Sequence, residues 1–124
     1  VNGVPDPATV RAWHAAGAGS NIAVATHDVP VPLASAPGLV VEAALGLPRW
    51  RHEGTRGAVI WLTRRTRLFR FVDDVHVLAE PGPDGARLIL RSASRVGKDD
   101  LGQNARNLQE LIAALDAKAR ATAP

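Results

Sequence analysis

Hydrophobic and polar positions alternate most plainly between residues 72 and 96. Val75 and Val77 alternate with Asp74 and His76, and Leu88 and Leu90 are separated by Ile89 and flanked by Arg87 and Arg91. Alternation with a period of two predicts half-buried strands over residues 72–80 and 86–96. Between them lies Glu80-Pro81-Gly82-Pro83-Asp84-Gly85, where proline fixes φ and glycine supplies positive φ, so a turn is expected. Folding the hairpin about that turn sets Val77 opposite Leu88 and Val75 opposite Leu90 on the core face. Asp73 then faces Ser92 on the same side. Asp74 pairs with Arg91, and His76 with Ile89, on the other.

The rest of the chain divides by the same logic. Asp6 before Pro7 reads as an N-cap and first helical residue, so a short helix is predicted over residues 8–16, ended by Gly17-Ala18-Gly19. Residues 22–31 are strand-like, and Pro30 and Pro32 restrict them to a sheet edge or an extended arm. Ala36-Pro37 opens a second helix with Val40, Val41, Ala44 and Leu45 as its apolar face, stopped by Gly46 and Pro48. Residues 49–53 alternate charged side chains with Trp50 and His52. Residues 58–64 form a β-branched run expected to be covered on both faces, or on one with Trp61 capping the other. A long last helix is predicted over residues 101–119, with Leu101, Ala105, Leu108, Ile112 and Leu115 at helical spacing and Leu111 widening the stripe.

These elements predict an α+β fold: a two-layer sandwich in which an antiparallel meander of about four or five strands carries helices on one face. The long C-terminal helix is expected to cross Val75, Val77, Leu88 and Leu90. Residues 1–124 form one domain, with residues 1–20 as an N-terminal helix or arm and 101–119 as the closing helix.

The polar positions of the hairpin supply the candidate chemistry. Asp73 and Ser92 end an apolar face, so the carboxylate needs hydrogen-bond partners there. Asp74 and Arg91 are expected to form a cross-strand ion pair of about 0.2–1 kcal/mol. Asp100 is a good N-cap with Gln103 three residues on, as in a capping box, and the helix start it marks favours anions. Arg95 and Lys98 stand nearby, while Asp99 and Asp100 already supply negative charge. The candidate ligand-binding set is Arg70, Asp73, Asp74, Arg91, Ser92, Ser94, Arg95, Asp100 and Asn104, a polar seam beneath the closing helix suited to a small anion or a protein partner.

Two alternatives use the same residues differently. A hydrolase or metal-assisted enzyme would use Asp73, Asp74 and Asp100 with Ser92 or Ser94, but neighbouring carboxylates on a strand diverge and no base is evident for either serine. His27-Asp28 diverges in the same way. Nucleic-acid binding would use Arg64, Arg65, Arg67 and Arg70 with Phe69 and Phe71 as stacking rings, without any recognisable nucleic-acid module signature. Neither a metal site nor a cofactor is expected.

Composition narrows this little further. The 124 residues carry a net charge of +3, no cysteine and no methionine. Cysteine catalysis, thiolate metal sites and disulfides are excluded. Absence of methionine suggests a processed or partial chain, and no stretch is long and apolar enough for a transmembrane helix. The excess of arginine is compatible with an acidic partner, and equally with a GC-rich coding sequence.

Phe71-Val72-Asp73-Asp74-Val75, then Arg91-Ser92-Ala93-Ser94-Arg95-Val96-Gly97, then Asp100-Leu101-Gly102 and Asn104 form ordered blocks. Together they resemble the signature of the domain-of-unknown-function 1499 family, over residues 60–115. Gly19-Ser20-Asn21 is similar to that family's amino-terminal Ser-Pro-Asn-Cys segment, with Ile22 in place of the cysteine. Thr63, Arg64, His76, Lys98 and Ala105 depart from the family's usual residues. The resemblance implies a bacterial or plastid-type soluble domain, sometimes attached to membrane segments, and brings no established activity.

Overall fold

The computed structural model describes residues 3–67, 71–97 and 99–122. In chain order the elements are α1 (Pro7–Ala15), β1 (Ile22–Val29), a 3-10 turn (Leu33–Ser35), α2 (Ala36–Leu45), β2 (Trp50–Arg56), β3 (Val59–Arg65), β4 (Val72–Gly82), β5 (Gly85–Ser94) and α3 (Gln103–Thr122). The five strands form one antiparallel sheet in the order β1-β5-β4-β3-β2. From Trp50 onward the strands are a meander, as expected. β1 returns across the sheet to close the far edge against β5.

Local chemistry explains the boundaries. Asp6 caps α1 by accepting the Thr9 N–H at 2.8 Å, and Pro7 occupies the first turn, where a missing N–H costs nothing. In β2 the register shifts between His52 and Gly54, a bulge that leaves Glu53 without a pair on β3, and its carboxylate accepts from Thr63 Oγ1 at 3.0 Å.

The β4–β5 hairpin is tighter than its sequence suggests. Its strands run to Gly82 and Gly85, leaving only Pro83-Asp84 at the tip, so Val77 pairs with Leu90 and Val75 with Ser92. Each expected partner is displaced by two residues, which keeps every side chain on its predicted face. Backbone crowding accounts for the tight tip. A Cβ on Gly85 would lie 2.3 Å from the Val31 carbonyl oxygen, and one on Gly82 2.7 Å from the Arg87 nitrogen. Pro81 is tolerated in β4 because β3, whose last pair with β4 is Val59 with Leu78, has ended by that point.

The main core lies between the sheet and the layer of α2 and α3. Val40, Ile60, Leu62, Val75, Val77, Leu88, Leu90, Leu111 and Leu115 are all fully buried there. The helices are not confined to that side. Val59, Leu78, Trp61 and Ile89 leave a second apolar patch on the reverse face, and α1 covers it with Val10. β3 is therefore covered on both sides, as its unbroken apolar run predicts.

α3 begins at Gln103, two residues later than expected, because Leu101 and Gly102 adopt positive φ of 52° and 80°. Leu101 and Ala105 are exposed, and the buried stripe is Asn104, Asn107, Leu108, Leu111, Leu115 and Ala119. Among the described residues no helix is long and apolar enough to cross a membrane.

Candidate functional site

Strand alternation divides the expected seam between the two faces of the sheet. On the α3 side, Asp73, Ser92, Asn104 and Asn107 are each no more than 2% exposed. Asn107 Nδ2 donates to Asp73 Oδ2 at 2.8 Å and to Ser92 Oγ at 3.1 Å. Ser92 Oγ donates in turn to Asn104 Oδ1 at 2.6 Å. The Asn104 amide reaches Ser94 Oγ, the Asn21 carbonyl and Asp100 Oδ2, so two amide protons are shared among three acceptors.

Asp100 closes this network. Its carboxylate accepts the Gly102 and Asn104 backbone N–H groups and so caps α3. Burial alone would raise its pKa, but the Asn104 and Gly102 hydrogen bonds outweigh that and hold it below the usual carboxylate value. The expected capping box is only half made. Gln103 turns to Asn107 and Arg106, while the Asp100 N–H donates to the Ser20 carbonyl. Asn21 bridges further, with Nδ2 on the Gly97 carbonyl and its own carbonyl accepting from Ser94. The Ser20-Asn21 segment thus fastens the loop that leads into α3.

Arg64, expected in a basic connection, is in β3 and buried under α3. Its Nε lies 3.8 Å from Glu110 Oε1, the same oxygen that accepts the Trp50 indole N–H.

The other face carries Asp74, His76, Arg91 and Arg95. The expected Asp74–Arg91 pair is not formed. Asp74 stands opposite Ala93, and Arg95, diagonally placed, binds it with two hydrogen bonds of 2.8 and 2.9 Å. Trp61 Nε1 donates to the same carboxylate at 2.8 Å. Burial would raise the Asp74 pKa, and the hydrogen bonds from Arg95 and Trp61 bring it below the usual value. Arg91 faces His76 instead, with its guanidinium 5.2 Å from the Trp13 ring centre. His76 lies against two indoles, stacked on Trp61 at 6.1 Å and edge-on to Trp13 at 5.1 Å. Burial, helped by the Arg91 charge and opposed by Asp74, pushes its pKa down to about 4.

Because Arg95 is about half exposed, its bidentate pair should contribute modestly. Arg95→Ala is expected to cost about 1 kcal/mol in urea denaturation, and the cost should shrink in high salt.

Of the predicted site residues, Asp73, Ser92, Ser94, Asp100 and Asn104 are brought together on the α3 side, and Asp74, Arg91 and Arg95 on the reverse. The common patch beneath α3 does not form, because Arg91 and Arg95 share the parity of Asp74, not of Asp73. Arg70 and Phe69 lie outside the described residues, and Phe71 is half exposed. Asn107 and Asn21 were not anticipated. The available signal was an amide at position 107 in the same helical stripe as Leu108 and Leu111. The groups bonded to the Ser92 and Ser94 hydroxyls are amides, which cannot accept a proton as a catalytic base would. His27 and Asp28 diverge, the first to Asp116 on α3 and the second to Arg87 on β5. Among the described residues no three His, Asp or Glu side chains converge as metal ligands.

A third region was not anticipated as a unit. Where β2 begins and β3 ends, the Arg65 N–H donates to the Arg49 carbonyl at 3.0 Å. Around this junction Arg49, Arg51, Arg65 and Arg67, with Trp50 and Thr66, line a pocket of about 380 Å³. Arg49 holds a positive φ of 70°. Among the described residues none of these four arginines forms an ion pair.

A family model described as "Protein of unknown function (DUF1499)" matches residues 5–115. No curated protein matches the chain. Two solved structures share the fold. Protein MLL2253 from Mesorhizobium loti is 12% identical, with a TM-score of 0.58 over 83% of this chain and 99% of its own. An uncharacterised protein from Rhizobium leguminosarum is 12% identical, with a TM-score of 0.56 over 80% and 93% respectively. At that identity the likeness is one of fold alone.

Proposed function

We propose a function for a chain that belongs to the DUF1499 family of proteins of unknown function: it acts as a non-enzymatic module that binds an anionic ligand. The observation that carries this reading is where four positive charges gather around one pocket without a carboxylate partner among the described residues. In the seam Arg95 is matched by Asp74 and the first N–H groups of α3 by Asp100, while Arg91, without a carboxylate partner among the described residues, is half-buried against Trp13 and opposite His76. Asp73, Ser92, Ser94, Asp100 and Asn104 then serve as the frame that pins α3 to the sheet. Asp74, Arg91 and Arg95 fix the opposite face around Trp61, His76 and Trp13. Among the described residues the four arginines at the β2–β3 junction have no such partners, and like charges on adjacent strands repel. An arrangement that costs the free chain stability is relieved when an anion enters.

Thermal unfolding of the chain tests this with phosphate, sulfate, nucleotides, citrate and acidic lipids at millimolar concentration, against chloride at equal ionic strength. A ligand at about ten times its Kd adds about 1.4 kcal/mol of stability, so a rise in Tm is expected with at least one of these anions. Unchanged unfolding with all of them overturns the reading.

A further inference from the structure

We infer that the pocket at the β2–β3 junction is a phosphate site, taking a ligand that carries at least two phosphate groups and gripping it through Arg49, Arg51, Arg65 and Arg67. This rests on the anion-binding reading above and names its place and chemical class.

Three observations carry it. First, the guanidinium groups come from two chain segments that the sheet holds in register. Arg51 pairs with Thr63, and Arg65 hydrogen-bonds back to Arg49, so Arg51 and Arg65 sit diagonally across neighbouring strands. Strands hold Arg51 and Arg65 more precisely than a loop would, and Arg49 and Arg67 stand just beyond the strand ends. Second, the charge is concentrated. Four arginines with no ion pair among the described residues line about 380 Å³, near the lower end of small-molecule pockets. A planar guanidinium fork matches phosphate oxygens two at a time, and several forks need several anionic groups. One carboxylate or one sulfate leaves most of that charge unmatched. Third, Arg49 is kept in the left-handed region, where glycine would be unstrained. A side chain held there at a conformational cost is accounted for if its charge is used.

The lining also limits the ligand. Trp50 is 5% exposed, with its indole N–H bound to Glu110, so its ring is not open for a base to stack on. Recognition therefore falls on the phosphates and not on an attached base. Pyrophosphate-type anions and multiply phosphorylated lipid headgroups share that chemistry.

Titration calorimetry of the chain with sodium pyrophosphate, tripolyphosphate and, separately, citrate provides the test. A parallel arm measures co-sedimentation with phosphatidylcholine vesicles, with and without phosphatidylinositol bisphosphate. Pyrophosphate or tripolyphosphate is expected to bind with an affinity that falls as salt is raised. The double variant Arg51→Gln/Arg65→Gln should lose about tenfold or more in affinity, while Arg120→Gln, remote on α3, stays within about twofold of the parent. Arg49→Gly should weaken binding without lowering Tm, which separates loss of ligand contact from loss of fold. Capture by the phosphoinositide vesicles together with weak binding of the free anions identifies a headgroup; the reverse identifies a soluble polyphosphate. Binding of phosphates that the pocket variants leave unchanged overturns the location while the anion-binding reading stands. Binding of citrate in preference to both phosphates overturns the class. Binding of no anion at all overturns both.

Discussion

Replacing Asn107 by leucine is expected to destabilise the chain by about 3 kcal/mol, read from urea denaturation at neutral pH. The amide is 1% exposed, and its two protons go to Asp73 Oδ2 and Ser92 Oγ. Leucine fills similar space but donates nothing. The Asp73 carboxyl, 2% exposed, would lose the Asn107 donor in a site almost closed to water. A cycle isolates the effect from simple repacking. If the cost comes from stranding the carboxyl, Asp73→Leu combined with Asn107→Leu should be less destabilising than the sum of the single changes by about 1 kcal/mol or more. Additive costs, or a single-variant loss below about 1 kcal/mol, would show that this contact does not hold α3 down.

Mild acid should weaken the fold through His76. Its folded pKa is about 4, well below the ordinary 6.5, because burial between Trp13 and Trp61 disfavours the charged ring. The unfolded chain therefore binds a proton between pH 6.5 and 4 that the folded chain refuses. Stability is complete above pH 6.5 and falls as the pH drops to about 4, by about 3 kcal/mol for this group. The lowered carboxylates Asp74 and Asp100 act in a separate window: their contribution is lost only as pH falls below about 4. Chemical denaturation at a series of pH values should show the upper slope in the parent and not in His76→Phe, which keeps an aromatic ring without a titrating nitrogen. An unchanged slope in that variant would remove His76 as its source.

What the sequence made legible follows from what alternation encodes. Val75, Val77, Leu88 and Leu90 are fully buried on the face that period two predicts, and the divergence of Asp73 from Asp74 is a property of any strand. The hairpin register left no such mark. A slip of two residues returns every side chain to its own face, so the hydrophobic pattern is identical in both alignments. The observed tip brings Gly85 against the carbonyl of Val31, a contact far away in sequence that alternation does not encode. That slip exchanged Arg91 for Arg95 as the partner of Asp74. The polar network under α3 was half visible. Asp73, Ser92 and Asn104 could be grouped from the hairpin and the cap, but Asn107, though in the stripe of Leu108 and Leu111, is a polar residue that hydrophobic periodicity does not count as buried. The arginine pocket was least legible, because its members meet at the open end of the β2–β3 hairpin, whose pairing is shifted by the bulge between His52 and Gly54.

The placement of β1 bears on how the chain assembles. Residues 22–29 find their sheet partner in residues 86–93, and on the other flank that strand has no neighbour among the described residues. The meander can zip by successive short hairpins, each close in sequence. The first strand cannot: it has to wait through more than half the polypeptide for the one ladder it can join, and closing so wide a loop is slow. Pro30 just beyond its end denies a stray strand one of the backbone donors needed to extend a false pairing during that wait.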